Sequence, residues 1–416
     1  MAYRPRIVDD ELRERLEAAG AVVIEGPKAC GKTATGREVA ESAVALDTDE
    51  AARKLARLDP ALILEGKVPR LLDEWQLEPS LWNHVRREID KRQVPGQFVL
   101  TGSAVPADDV VRHSGAGRLS RLRMRPMSLV EAGASSGEVS LAALVAGEAP
   151  RATDTGHGLT WVAEQVALGG WPGALTLPLR ARLRYVADYV EEVCRTDIRR
   201  VDGVDRDPVR VRHLMRSLAR HVATEASLST IAKDVDDAKG PSSTNTIRDY
   251  LSALERLMVV EDQPAWGPHL RSRSRVRGTS KRHFTDPSIA VAALGATPDR
   301  LISDPNLLGF LFESLAIRDL RILAQPLGGR VFHYRDNTGL EADAIVEMPD
   351  GRWLAFEVKL GTHAVDEGAA ALLRLADRVD HERCGPPLAL AVITGTGYAY
   401  LRPDGVAVIP LGALGA

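Results

Sequence analysis

Apolar positions along the chain change their period several times, and each change marks a structural unit. "DELRERLEAAG" (10–20) spaces Leu12 and Leu16 as one face of a helix. It runs into the unbroken apolar stretch "AVVI" (21–24), a Gly-containing turn, and the helical segment "KTATGREVAESA". Two further strands are predicted at "RLLDE" (70–74) and "QFVLTGS" (97–103), with helical stretches between them. Strands alternating with helices imply a parallel sheet, so residues 1–135 are expected to form an α/β domain. The Ala-, Gly-, Ser- and Thr-rich stretch 132–158 reads as a connection.

From 159 to 262 the period is helical, with three- and four-residue apolar spacing in "RARLRYVADYVEEVCRTDI" and "PVRVRHLMRSLARHVA". Residues 159–205 are expected to form a helical lid or connector. "SLSTIAKDV" and "SSTNTIRDYLSALERLMVVEDQPAW" read as two helices, a polar turn between them, and a short strand after them. That order suits a winged helix over 206–285, with "TNTIRDYLSALERL" in the place of the recognition helix. From 286 to 416 the pattern changes again. A helix, "NLLGFLFESLAIRDLRIL", precedes the strands "RVFHYRD", "EADAIVEM" and "RWLAFEVKL", then a helix near 365–379 and the strand "PLALAVIT".

Composition narrows the class. Charged residues make up 27% and apolar residues 44% of 416 residues, as in ordinary globular proteins, and the length calls for more than one core. The formal net charge of −3 excludes a chain that is basic throughout, so any nucleic-acid surface must be local. The three cysteines, Cys30, Cys194 and Cys384, are far apart, which argues against a disulfide framework or a zinc site and fits a reducing cytoplasm. No apolar run approaches the roughly 18 residues of a membrane span, so no membrane association is expected.

The chemistry concentrates at the two ends. Gly26, Pro27, Lys28, Ala29, Cys30, Gly31, Lys32 and Thr33 complete G-x-x-x-x-G-K-[ST], directly after a strand and opening a helix with Ala34. Such a loop points backbone N–H groups at phosphate oxygens, aided by the helix N-terminus. Lys32 would reach the β/γ-phosphates of ATP and the Thr33 hydroxyl would ligate Mg²⁺. In "RLLDEWQ", Asp73 is placed to hold Mg²⁺ and Glu74 to polarise the attacking water. Thr101 or Ser103, at the tip of the next strand, could sense the γ-phosphate.

The phosphate loop, "LLDE" and "FVLTGSA", followed by "GAGRLSRLRMRPMSLVE", resemble the AAA-type ATPase domain of a widespread prokaryotic family that carries a C-terminal domain of unknown function. "GGWPGAL" (169–175) and "YVEEVCRTDI" (189–198) resemble its lid and connector. The resemblance implies an arginine that reaches the γ-phosphate, often from a neighbouring subunit, for which Arg118 is the candidate and Arg121 the alternative. An oligomer would follow from an arginine supplied in trans.

Two further features bear on partners. Arg271, Arg273, Arg275, Arg277, Lys281 and Arg282 fall within 263–285 without one acidic residue, where a wing could neutralise DNA phosphates. In the tail, Asp343, then Glu357 and Lys359 on one face of a strand, could hold a divalent metal with Lys359 stabilising charge, and Glu313 on the preceding helix would add an acid. In this order, on α-β-β-β-α-β elements, these residues resemble the PD-(D/E)XK restriction-endonuclease-like fold, although Glu341 and Ala342 stand where its Pro would be. The expectation is an Mg²⁺-dependent AAA-like ATPase fused to a winged helix and a nuclease-like module acting on nucleic acid. The alternatives are an ATP-licensed DNA nuclease and a non-catalytic, nucleotide-gated protein that binds a protein partner in a defence or toxin–antitoxin setting.

Overall fold

The structure, a computed structural model, describes residues 3–102, 114–201, 203–235, 243–268 and 278–416. Its first sheet holds β1 (Ala21–Glu25), β2 (Ser42–Ala45), β3 (Arg70–Asp73), β4 (Phe98–Gly102) and β5 (Leu119–Arg123), all parallel, in the order β2-β3-β4-β1-β5. Central parallel strands are covered on both faces, which is why β4 is buried throughout and β1 is buried up to its last residue. Alternation then sorts their side chains. Val22 and Ile24 pack with Leu12 and Leu16 of the helix Val8–Ala18, whereas Ala21 and Val23 pack with Trp82, Val85 and Ile89 of the helix Leu81–Arg92. Register aligns Asp73 with Thr101, and Thr101 with Ile24. The carboxyl ends of β1, β3 and β4 therefore open at one edge, where ligands of such sheets bind.

Beyond the first sheet the units are less separable than their sequence patterns. The segment expected to be a bare connection contains β6 (Val139–Ser140) and a short helix Leu141–Val145. A second, mixed sheet holds β7 (Arg330–Arg335), β8 (Glu341–Glu347), β9 (Trp353–Lys359), β10 (Ala389–Thr394), β11 (Tyr400–Leu401) and β12 (Ala407–Pro410), in the order β11-β12-β10-β9-β8-β7. β7 to β10 and the helix Val365–Arg378 follow the predicted order; β11 and β12 extend it. The last strand, β13 (Leu414–Gly415), pairs in parallel with β6, tying the tail to the segment after the first sheet.

Helices Pro287–Leu294 and Pro298–Ile302 pack on Leu159–Leu168, Leu179–Glu192 and Pro208–Arg220 rather than opening the C-terminal sheet domain at 286. The helix Pro305–Ala324 is buried on nearly every face from Leu311 onward, because it lies between those helices and the second sheet. One apolar cluster runs from Leu129 through the helical region to Leu414.

Charges on that buried helix are paired. Arg318, 2% exposed, bridges Asp286 (2.8 Å) and its neighbour Asp319 (2.7 Å). Asp319 also accepts the Leu129 N–H at 2.9 Å, and Asp286 accepts the Gly170 N–H at 3.0 Å. Trp171 donates its indole N–H to Ser288 at 3.0 Å. Three distant stretches meet at this polar centre: the exit of the first sheet, the "GGWPG" segment and the start of the helix pair 287–302.

Candidate functional site

The loop after β1 is held from three sides. Gly31 adopts φ 107° and Ala29 φ 60°, left-handed values that glycine accepts readily and alanine does not. A Cβ on Gly26 would stand 2.2 Å from the Met124 carbonyl oxygen, so that backbone approach requires glycine. Arg6, buried before the first helix, donates to the Cys30 carbonyl (2.8 Å), the Arg125 carbonyl (2.9 Å) and Glu131 (3.0 Å). Cys30 itself is fully buried against the first sheet. On the outer side Lys28 forms an ion pair with the buried carboxylate of Asp197, in the helical turn that follows Leu179–Glu192.

Lys32, at the first helical position, donates to the Gly26 (2.9 Å) and Pro27 (2.7 Å) carbonyls across the loop. Thr33 donates to Asp73 at 2.8 Å, and Thr101 donates to the same carboxylate oxygen at 2.5 Å. The ends of β3 and β4 and the first turn of the helix after β1 thus converge at Asp73, the strand register setting the Asp73–Thr101 pairing. Glu74 follows at φ 55°, a left-handed conformation that costs a non-glycine residue about 1–2 kcal/mol and that turns its carboxylate out of the strand direction. That carboxylate accepts a hydrogen bond from Gln76. Ser103 lies outside the described residues.

A groove of about 590 Å³ adjoins the loop at Gly31 and Ala34. Tyr3, Thr35 and Arg37 form one wall, with Pro172 and Leu175 of the "GGWPGAL" segment opposite. Tyr3 is fixed by its hydroxyl, which bonds Asp9 (2.6 Å) and Thr35 (3.0 Å). Neither Tyr3 nor Arg6 stood out in the sequence; only an N-terminal strap folding over the phosphate loop makes them part of the site. Arg118 is elsewhere. Its carbonyl accepts the Ala21 N–H, so it sits at the start of β1, roughly 16 Å of strand away from the loop, and its guanidinium pairs with Asp90. Arg121 pairs with Glu25 and lies over Trp82.

The C-terminal residues do come together, around an unexpected neighbour. Lys359 donates to Glu357 at 3.0 Å, as their shared strand face predicts. Between Glu313 and Asp343, however, stands the ammonium of Lys281, 2.7 Å from the first and 3.3 Å from the second. Burial, together with the charge of Asp343, pushes both the Glu313 and Glu357 carboxyls up to about 8. Burial works against the Lys281 ammonium, yet Glu313 and Asp343 raise its pKa above the ordinary lysine value. Among the described residues no group of three His, Cys, Asp or Glu is arranged to hold a metal ion. This corrects the expectation for Lys281 as a DNA-facing cation: it is 7% exposed and points inward, and Arg282 pairs with Asp262 at 3.1 Å. Arg271, Arg273, Arg275 and Arg277 lie outside the described residues.

A parallel sheet whose first strand runs through a glycine-lysine loop into a helix, with a carboxylate on a neighbouring strand end, defines a P-loop ATPase-like domain. Residues 18–133 match the family described as an AAA domain, so the N-terminal unit is AAA-like. Residues 159–300 match a domain of unknown function (DUF8612), and residues 308–414 match another (DUF4143). Uncharacterized proteins of Mycobacterium bovis and Mycobacterium tuberculosis are each 26% identical over 356 residues, covering 84% of this chain and 72% of theirs. A Walker-type ATPase of Pyrococcus abyssi is similar at 12% identity and a TM-score of 0.41, covering 68% of this chain and 94% of its own. Among the described residues, no helix is long and apolar enough to cross a membrane.

Proposed function

We propose that this chain is an Mg²⁺-dependent ATPase whose nucleotide site reports to the helical region and the C-terminal sheet domain. The observation that carries this reading is the convergence of Thr33 and Thr101 on one oxygen of Asp73, beside Lys32, at the carboxyl ends of three parallel strands. A hydroxyl and a carboxylate 2.8 Å apart are the hard oxygen donors that suit Mg²⁺, so Thr33 would hold the ion directly and Asp73 beside it. Bound there, the ion supplies charge neutralisation to the β- and γ-phosphates. Lys32 exchanges its loop carbonyls for phosphate oxygens, and the backbone of Gly26 to Ala34 surrounds the triphosphate. Glu74 orients the attacking water and takes up its proton. The groove between Tyr3 and Pro172 has room for the base and ribose. Arg118 acts only if a second copy presents it.

Coupling has a physical route in the Lys28–Asp197 ion pair, because a triphosphate on the loop competes for the Lys28 ammonium. One observation favours DNA as what the coupled region meets. Val260 pairs with Phe284 and Gln263 with Lys281 as antiparallel bridges, following helices Leu228–Asp234 and Thr244–Arg256. Helices followed by a two-stranded ribbon are what a winged helix needs, and the basic residues 271–277 fall, in sequence, between its two strands. The exposed side of the second helix carries Asp249 and Glu255 beside Arg248, so the basic residues between the strands, rather than that helix, would meet phosphates.

Phosphate release by wild type and by Glu74→Gln, each with and without duplex DNA, tests both statements. Wild type is expected to turn over ATP and Glu74→Gln to lose on the order of a hundredfold or more, with binding kept. Equal rates would remove Glu74 from the mechanism. Stimulation by DNA selects the nucleic-acid reading, and its absence shifts the partner to a protein.

A further inference from the structure

We propose that Lys281 is a tethered cation standing where a divalent metal would have to bind, and that it closes the Glu313–Asp343–Glu357 carboxylate site to metal. The sequence pattern of Asp343, Glu357 and Lys359 led us to expect a hydrolytic metal centre. The side chains present do not fit one. One oxygen of Asp343 accepts the Lys281 ammonium and the other accepts the Val358 N–H at 2.9 Å. Glu313 is taken by Lys281 and Glu357 by Lys359. A dication needs the same lone pairs at shorter range, so it cannot bind until Lys281 leaves.

Lys281 is built to stay. Its backbone N–H donates to the Gln263 carbonyl (3.0 Å) and its carbonyl accepts the Gln263 N–H (2.8 Å), a reciprocal antiparallel pair. The Gln263 amide in turn donates to the carbonyls of Phe332 (2.9 Å) and Asp343 (2.8 Å), fastening that pair to β7 and β8. Swinging the ammonium away would leave it, or the two carboxylates, buried without a partner, which is costlier than keeping the pair. Three carboxylates facing two ammonium groups already approach neutrality, which leaves little net charge to attract a cation. The carboxylates act instead as an anchor: they dock Lys281, near the end of the basic segment, onto the C-terminal sheet.

The test uses the full chain without nucleotide and follows free Mn²⁺ by its paramagnetic resonance signal. Wild type is expected to show no Mn²⁺ site that Asp343→Asn removes. Lys281→Ala, with Lys281→Met as the volume-preserving second variant, is expected to gain one site per chain. Removing a unit positive charge this close should tighten Mn²⁺ binding on the order of tenfold or more. The gained site should vanish when Asp343→Asn is added, and Mn²⁺ should raise the melting temperature of the lysine variant alone. An Asp343-dependent Mn²⁺ site in wild type, or Asp343-dependent cutting of supercoiled plasmid by wild type, overturns the proposal whichever variants fold. So does a folded Lys281 variant that gains no site.

Discussion

Asp73 carries more of the account than any other single side chain, because two hydroxyls from different elements meet on one of its oxygens. Asp73→Ala is expected to abolish the Mg²⁺ dependence of ATP affinity and to lower hydrolysis on the order of a hundredfold or more. Calorimetric titration of ATP with and without Mg²⁺ checks this, and an unchanged Mg²⁺ dependence would contradict it. A second residue-scale prediction concerns pH. Burial, with Lys281 nearby, lowers the His333 imidazole from 6.5 to about 4. The ring therefore stays neutral in the fold while the unfolded chain takes up a proton first. Its contribution is fully present above the unfolded pKa of 6.5 and drains away as pH falls toward about 4. From pH 6.5 to about 5, wild type should lose about 1.5 kcal/mol more than His333→Asn in denaturant titrations. Equal losses would show the ring to be protonated in the fold. Lys32, Thr33, Asp73 and Thr101 were legible because loop chemistry and strand ends are local. Lys281 was not, since its partners lie 32 and 62 residues away and a lysine at the end of a cationic run looks solvated.

At the scale of elements, close backbone approach sets the limits. A Cβ on Gly170 would lie 1.9 Å from the Met127 carbonyl oxygen, in the segment that forms the far wall of the groove. Gly170→Ala should cost about 1–3 kcal/mol and lower the melting temperature accordingly. It should also weaken ATP binding, since Pro172 and Leu175 are displaced with it. A melting temperature and affinity equal to wild type would mean that this segment does not shape the site. In the first sheet β1, β3 and β4 were readable from period alone, as was the order helix, three strands, helix, strand in the tail, whereas β2 and β5 were not. The short β6, β11, β12 and β13 were not, because two to four residues give too little pattern. The helices within 287–302 were not read from the sequence, nor was their packing on the helical region, since apolar faces state that they are buried but not against what.

For the whole molecule, the buried set Asp286–Arg318–Asp319 joins the exit of the first sheet, the groove segment and the long buried helix. Arg318→Met leaves two buried carboxylates uncompensated and should cost about 3–5 kcal/mol. The exposed i,i+4 pair Arg184–Asp188 is the control, and Arg184→Ala should change stability by no more than about 0.5 kcal/mol. Denaturant unfolding of both variants decides whether the hub or the surface holds the units together, and similar losses would contradict this assignment. Nothing in the sequence pointed to the hub, whose three acidic and basic residues look ordinary until the chain brings 129, 170, 286 and 318 together. All of these effects matter for function only if the glycine-lysine loop grips a nucleotide. Calorimetric titration of ATP with Mg²⁺ into wild type and Lys32→Ala asks that directly. The account predicts one site per chain in wild type and its loss in Lys32→Ala, with the variant still folded. Equal binding by the two proteins, or no heat from either, would contradict it.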